Sequence, residues 1–299
     1  MSVKQVIVAG EAVVDIVHAA DGSVNSHPGG SPANVAVGLS RSAIDTTLLC
    51  CLADDNNGDI LRNHLNSAGV NLHEVAVPTT STAKAFLDDK GAATYEFDIV
   101  WEIGDFTLDN VSLFHTGSLA TVIQPGNDQL LTALEAKSPD TLITLDPNVR
   151  PNLGYTKEYV RTSIDKFYDH AHMVKMSDED LAWLYPGATE DKVAQRLFDH
   201  GVNLFVITKG GEGCSMFTRE WSTQFAAMPA EVVDTIGAGD SFMSGFLSAI
   251  VHSGGEDLVK SGDLAQDVCE GWAVTALKSA AYTVGQAGAQ PPTREYLGI

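Results

Sequence analysis

The apolar residues of the chain fall into short continuous runs, separated by longer segments with helical spacing. The short runs are rich in β-branched residues and predict buried strands, whereas apolar residues three or four positions apart predict helices. Strand–helix alternation favours a mostly parallel sheet with helices on both faces. Strands are predicted at 5–10, 46–52, 113–116, 141–146, 173–176 and 204–208, and helices at 34–41, 58–68, 125–137, 156–170, 178–185, 190–200, 239–252 and 263–283.

One part of the chain has a different pattern, in which polar and apolar residues alternate. The alternation stands on both sides of an Asp-Lys-Gly turn at 89–91, which predicts a β-hairpin. With strands from 12–28, the segment 83–104 would form a small β appendage. The 299 residues otherwise suit one large α/β domain over 1–299.

Composition narrows the function classes. The formal net charge of −21 argues against nucleic acid and anionic lipid as partners, because both repel an acidic surface. No apolar run is long enough to span a membrane, and a strand is predicted directly after the first residues, where a signal peptide would stand. Cys50, Cys51, Cys214 and Cys269 form no C-x-x-C pair, and reduced core thiols predict a cytoplasmic protein.

The segment 234–240, Asp-Thr-Ile-Gly-Ala-Gly-Asp, leads directly into a long apolar helix. The small residues Gly237, Ala238 and Gly239 allow a ligand to approach the backbone, and a helix N-terminus offers free N–H donors. This combination predicts an anion hole for a transferring phosphoryl group. Asp240, in the first turn, would accept the proton of an attacking hydroxyl. The simpler interpretation is a glycine-rich turn in which the acid caps the helix.

The segment 234–240 resembles the C-terminal signature of the ribokinase-like (PfkB) carbohydrate kinases. Residues 29–36, Gly-Gly-Ser-Pro-Ala-Asn-Val-Ala, resemble the N-terminal signature of the same family. The resemblance, closest to fructokinases, extends from Gly10 to about Pro292. It implies a Rossmann-type α/β sandwich with a β-sheet lid, a sugar bound under the lid and Mg·ATP along the C-terminal half. Neither a Walker A nor a dinucleotide fingerprint is present.

The resemblance also implies the sugar-binding residues. Asp15, after the first strand, matches the acid that hydrogen-bonds sugar hydroxyls in the family, and Gly30 and Asn34 match its sugar-contacting Gly and Asn. Arg150 ends an Asp-Pro-Asn-Val-Arg segment that resembles one in fructokinases and in 2-keto-3-deoxygluconate kinases. The arginine would pair with substrate oxygens or phosphate, unless it forms a surface salt bridge.

The nucleotide-binding residues implied by the resemblance lie in two later segments. Lys175 begins a segment that in many relatives carries N-x-x-E close to the ATP phosphates. Thr208, Gly210 and Gly213 belong to a strand and glycine-rich turn that resemble those beside the nucleotide. A plain β-hairpin turn is the alternative for the second segment.

Two acids are implied as cation ligands. Asp180 stands where relatives have the N-x-x-E glutamate and would organise Mg²⁺ through water, although Ser177 and Asp180 also fit a capping box. Asp234, with the loop at 284–289, matches the part of the family that holds a monovalent cation such as K⁺.

The sequence therefore predicts a fructokinase-like transferase, and it leaves several alternatives open. A 2-keto-3-deoxygluconate kinase would use Arg150 for the substrate carboxylate, and nucleoside kinases share the fold. A non-catalytic sugar-binding regulator would have no need of a base at Asp240. Residues Ala85, Phe97 and Trp101 of the appendage would contact the sugar or pack in a core, and the appendage would also pair two copies as a homodimer.

Overall fold

The structure is a computed structural model that describes residues 5–19, 21–87 and 93–299. Within these residues, the strands are β1 Gln5–Ala9, β2 Val13–His18, β3 Val24–Gly29, β4 Thr46–Leu52, β5 Asn71–Ala76, β6 Thr82–Leu87, β7 Ala93–Asp98, β8 Val111–Gly117, β9 Leu142–Asp146, β10 Met173–Ser177, β11 Leu204–Thr208, β12 Cys214–Phe217 and β13 Ser222–Phe225. The α-helices are α1 Ser31–Arg41, α2 Asn56–Ser67, α3 Gly126–Glu135, α4 Lys157–Tyr168, α5 Asp178–Leu184, α6 Glu190–Asp199, α7 Ala238–Ser253, α8 Glu256–Ser261, α9 Gln266–Val284 and α10 Arg294–Leu297.

Nine of the described strands form the central sheet, in the order β13-β12-β11-β10-β9-β8-β1-β4-β5. All neighbouring pairs from β5 to β11 are parallel, whereas β12 and β13 continue the sheet as an antiparallel edge. This arrangement confirms the predicted α/β fold with a mostly parallel sheet. The edge strands β5 and β13, and β12 next to β13, were not predicted from the sequence.

Two hydrophobic cores lie on opposite faces of this sheet, because successive side chains of a strand point to opposite sides. In β1, for example, Ile7 and Ala9 belong to one core, and Val6 and Val8 to the other. Helices α3 to α6 cover the first face, and α1, α2, α7, α8 and α9 cover the second. Strands buried on both faces explain the continuous apolar runs in the sequence.

The remaining four described strands form a separate small sheet, in the order β3-β2-β6-β7. The antiparallel pair β6–β7 confirms the strands of the predicted hairpin, while its expected turn at 89–91 lies outside the described residues. Residues 99–104 add no strand to this sheet. Trp101 is fully buried in a core of the main body instead, so its predicted contact with the sugar is not supported.

The strand order places a crevice at the carboxyl edge of the central sheet. Strand β1 lies between β8 and β4. Strands β4 and β5 extend the sheet on one side of β1, and β8 to β13 extend it on the other. In open α/β sheets, the loops that follow strands on the two sides of such a point leave a ligand-binding crevice. None of the helices in the described residues is both long and apolar enough to cross a membrane.

Candidate active site

The carboxylate of Asp240 is fixed by two side chains from the opposite end of the sequence. The acid is the third residue of α7 and is 8% exposed. Its Oδ1 accepts a hydrogen bond from Ser31 Oγ at 2.6 Å, and its Oδ2 accepts one from Asn34 Nδ2 at 2.8 Å. Both donors lie in the first turns of α1. The two helix N-termini therefore meet at this carboxylate, and the hydrogen bonds stabilise its negative charge.

The turn before α7 depends on Gly237. This residue is the N-cap of α7 and has a φ of 74°, in the left-handed region that glycine adopts without strain. A Cβ atom at this position would lie 2.4 Å from the Cβ of Ala289. Gly237, Ala238 and Gly239 thus present backbone rather than side chains, and the first-turn N–H groups of a helix lack intrahelical acceptors. The Ala238 N–H donates to the Thr235 carbonyl oxygen at 3.3 Å, so this geometry leaves the other first-turn donors for an anion.

Two cavities meet at this turn. One has a volume of about 680 Å³ and runs along the C-terminal half of the chain, and the other, of about 750 Å³, lies beneath the small sheet. Arg150, Gly237 and Asp240 line both cavities. A group bound in one cavity would therefore face a group bound in the other across Asp240.

The cavity beneath the small sheet brings together all four residues predicted to bind sugar: Asp15, Gly30, Asn34 and Arg150. Burial raises the pKa of Asp15, while the charges of Arg150 and His27 act against this rise. Gly30 has a φ of 105°, and a Cβ there would lie 2.4 Å from the Glu11 carbonyl oxygen. This crowding explains why glycine occupies the entry to α1.

The cavity along the C-terminal half of the chain contains the predicted nucleotide residues Lys175, Thr208, Gly210 and Gly213, together with Asp180. One end of it is polar and lies at the 237–239 turn. The remaining wall is largely apolar and suits the flat face of a base. Its apolar lining includes Ala227, Met228, Pro229, Leu277, Ala280 and Val284.

Lys175 forms a buried ion pair next to the turn. Its Nζ donates to Asp146 Oδ2 at 2.8 Å, and both side chains are almost fully buried. Burial alone would lower the pKa of Lys175, but the carboxylates of Asp146, Asp180 and Asp240 together outweigh this effect and raise it, so the lysine stays positively charged. A Cβ at Gly239 would lie 3.3 Å from the same Nζ. The ammonium group therefore lies within reach of an anion at the 237–239 turn.

Asp180 caps its own helix. Its Oδ2 accepts from the Ser177 N–H at 2.9 Å, and the Ser177 hydroxyl accepts from the Asp180 N–H at 3.0 Å. Its Oδ1 accepts from the Val149 N–H at 2.8 Å, which ties the end of β9 to α5. The capping-box interpretation is thus present in the structure. A carboxylate has about four lone-pair positions, so some capacity for a water ligand remains.

Asp234 anchors a loop rather than lining the nucleotide cavity. Its Oδ1 accepts from the Ile236 N–H at 3.0 Å and its Oδ2 from the Gly288 N–H at 2.9 Å. These backbone hydrogen bonds lower the pKa of the acid. The side chain joins the 284–289 loop to the segment before α7. In the described residues, no group of three or more His, Cys, Asp or Glu side chains is placed to hold a metal ion.

Two polar residues of the site were missed in the sequence. Ser31 touches Asp240, and Glu11 lies buried in the wall of the cavity beneath the small sheet. Ser31 had a signal, because it stands between the glycine pair and Asn34 in the N-terminal signature. Its partner is 209 residues away, so the contact itself was not visible in the chain. Glu11 stands in an apolar stretch after β1, and an isolated acid in such a stretch indicates a buried functional carboxyl group.

Comparison with known proteins agrees with this fold. Residues 3–292 match the model of the family described as pfkB family carbohydrate kinase. A fructokinase of Rhizobium leguminosarum bv. trifolii is 30% identical over 258 residues, which cover 82% of this chain and 79% of that protein. The fold and the sequence therefore define a carbohydrate kinase.

Solved structures show the same fold. A fructokinase of Xylella fastidiosa with bound ATP has a TM-score of 0.87 at 23% identity and covers 99% of this chain and 97% of its own. A double mutant of Vibrio cholerae O395 fructokinase, bound to fructose, ADP and potassium, has a TM-score of 0.81 at 23% identity, with coverage of 99% and 97%. The chain belongs to the pfkB family of carbohydrate kinases, and it is an ATP-dependent sugar kinase.

Proposed function

We propose that this kinase transfers the γ-phosphoryl group of ATP to a hydroxyl of fructose, with Asp240 as the general base. The observation that carries this proposal is the position of Asp240 where the two cavities meet. A sugar in one cavity presents its hydroxyl to the carboxylate, and the terminal phosphate of a nucleotide in the other enters the 237–239 turn. Positioning and charge stabilisation then supply most of the acceleration.

The sugar-side residues have distinct roles. Asp15 offers carboxylate oxygens to the sugar hydroxyls, and Gly30 allows the ring to approach the backbone. Asn34 donates one amide hydrogen to Asp240, so its carbonyl oxygen and second hydrogen remain for the sugar. Arg150, which lines both cavities, is suited to the charge that develops on the transferring group.

The nucleotide-side residues hold the phosphates and the base. Lys175 supplies a fixed positive charge beside Gly239, which favours the phosphate at the turn. Thr208, Gly210 and Gly213 line the phosphate side of the cavity, and the apolar wall receives the adenine. A bound ATP is also what the Xylella fastidiosa structure contains.

The donor sets fit two kinds of cation. Asp180, through its remaining lone pairs and a water, would hold Mg²⁺, which neutralises phosphate charge during transfer. Asp234 and the 284–289 loop it anchors would hold K⁺, since carboxylate and backbone carbonyl oxygens suit a hard cation. The potassium in the Vibrio cholerae structure supports the second assignment.

The charge of the sugar cavity favours a neutral sugar over a sugar acid. Its lining contains the acids Glu11, Asp15, Asp234 and Asp240, against one arginine and two histidines. A substrate carboxylate would meet this excess of acidic groups. Arg150 is the observation that favours 2-keto-3-deoxygluconate as the second candidate. The name of the Rhizobium relative also supports fructose.

A coupled assay tests both the acceptor and the base. We expect phosphoryl transfer to fructose to exceed transfer to ribose, 2-keto-3-deoxygluconate, adenosine and a phosphorylated hexose. Asp240→Asn preserves size but removes the proton acceptor, so we expect kcat to fall by about 10²–10⁴ while ATP still binds. Activity confined to sugar acids would replace fructose by 2-keto-3-deoxygluconate. A near-normal kcat in the variant, or ATP consumption that never depends on a sugar, would contradict the role of Asp240 as general base.

We also propose a homodimer and a cytoplasmic location. The small sheet has an edge strand at β3, whose Val24 is exposed, and a second copy paired there would form a homodimer. The apparent mass in size-exclusion chromatography distinguishes a monomer from such a dimer. The four cysteines are free and buried, which supports the proposed cytoplasmic location.

A further inference from the structure

The cavity beneath the small sheet contains a carboxyl group that the proposed mechanism does not use. Glu11 follows β1 and is 4% exposed, yet it belongs to the lining of this cavity. Its Oε2 has no hydrogen-bond partner among the described residues. An unpaired buried carboxyl oxygen is unfavourable, so such groups commonly mark a place where a ligand or water completes the hydrogen bonding.

The surroundings of Glu11 favour its neutral form. The pKa of its carboxyl group is raised to about 7, chiefly by burial and to a smaller extent by the charge of Asp240, while the Ser118 hydroxyl and the Arg150 guanidinium act against this rise. The other titratable groups in the lining of the cavity are Asp15, His27, His64 and Asp234. Entry of a sugar excludes water and strengthens the effect of burial.

Glu11 and Asp240 lie in one cavity but in opposite environments. Asp240 accepts a hydrogen bond on each oxygen, which stabilises its negative charge. Glu11 has an unpaired oxygen and the repulsion of that same charge. Two carboxyl groups whose environments differ in this way take different roles in one site.

We propose that Glu11 is a further substrate-contacting residue, which carries a proton and donates a hydrogen bond to a hydroxyl oxygen of the acceptor sugar. The inference rests on the proposed function, in that the sugar occupies the cavity beneath the small sheet. A protonated carboxyl both donates and accepts, so it matches a neutral polyhydroxylated ligand. Loss of the proton removes the donor and places a second negative charge close to Asp240, so sugar affinity falls as the pH rises through neutrality.

Calorimetric titration of fructose, in the presence of a non-hydrolysable ATP analogue, tests this inference. For the unmodified enzyme, we expect the Kd to rise about tenfold or more between about pH 6 and about pH 8.5. Glu11→Gln keeps a donor at both pH values, so its ratio of Kd values should approach one. Glu135→Gln, an exposed change on α3, should keep the ratio of the unmodified enzyme. All three proteins carry the same cavity histidines, so the difference isolates Glu11.

The result that contradicts the inference is a Kd that stays constant or falls at the higher pH. The same holds if Glu11→Gln keeps the full pH dependence, or if fructose binds at neither pH. Where the Gln variant does not fold, a constant or falling Kd in the unmodified enzyme still contradicts the inference. The titration measures binding and needs no phosphoryl transfer. If fructose binding depends on pH as expected but the enzyme does not turn over, the proposed mechanism is contradicted while the proposed contact of Glu11 with the sugar is supported.

Discussion

At the scale of single residues, two side-chain hydrogen bonds hold the proposed base, Asp240, in position. Ser31 and Asn34 hold the two oxygens of Asp240 and leave its outer face to the substrate. Ser31 and Asn34 both line the sugar cavity, but the Ser31 hydroxyl donates its one hydrogen to Asp240, whereas the amide of Asn34 keeps a second hydrogen for the sugar. Ser31 acts on catalysis through Asp240 and is therefore a positioning residue.

Ser31→Ala should lower kcat with little change in the KM for ATP. Removing a hydrogen bond to a charged group is worth about 1.5–3 kcal/mol, so a decrease in kcat of roughly 10- to 100-fold is expected. Steady-state kinetics with both substrates measure the effect. Ser42→Ala is the matched control, since Ser42 is equally buried at the other end of α1 and donates to the Gly38 carbonyl. If both variants lose activity alike, Ser31 acts on the fold and not on Asp240.

At the scale of elements, the two ends of α7 offer a comparison within one helix. Gly237 begins the helix and Gly254 ends it, both in left-handed conformations, with φ values of 74° and 67°. Their surroundings differ, because a Cβ at Gly237 would meet Ala289, whereas one at Gly254 would meet nothing within 4 Å. Only the first glycine allows the 284–289 loop to approach the helix.

Gly237→Ala should therefore reduce kcat/KM for ATP by about tenfold or more, because the methyl group displaces the loop and widens the turn. Gly254→Ala should only lower the free energy of unfolding, by about 1–2 kcal/mol of backbone strain, and keep the parent kinetics. Kinetics and thermal denaturation of both variants make the comparison. Equal losses of activity would show that backbone strain, rather than the approach of the loop, explains the effect.

The elements differ in how far the sequence predicts them. Strands β1, β4 and β11 were predicted because they are buried on both faces and read as continuous apolar runs. Strand β5, Asn71–Ala76, was missed because it is a largely exposed edge strand whose apolar residues are interrupted by His73 and Glu74. The 234–240 segment was recognised because its chemistry is local. The contact of Ser31 with Asp240 joins two distant signatures, and only tertiary packing brings them together.

At the scale of the whole molecule, buried titratable groups on the central sheet couple stability to pH. His115 on β8 is 1% exposed, and its Nδ1 lies 3.0 Å from Thr144 Oγ1. Burial, with the positive charge of Lys175, lowers its pKa to about 3. Burial likewise lowers the pKa of His172 to about 4. Glu11 acts in the opposite sense, since its raised pKa contributes stability at low pH that is lost as the pH rises toward 7.

The free energy of unfolding should therefore contain a His115 contribution that decreases on acidification. The unfolded chain binds a proton at this imidazole below about pH 6.5, while the folded protein does not until about pH 3, so stability is complete above 6.5 and lost as the pH falls. Between about pH 7 and pH 4.5 the loss amounts to about 2–3 kcal/mol. Denaturant unfolding of the parent and of His115→Gln at both pH values measures it. The variant lacks the titrating group, so its stability should fall less than that of the parent over this interval. Equal losses in the two proteins would mean that His115 takes up its proton without unfolding, and that the core around Lys175 is open to water.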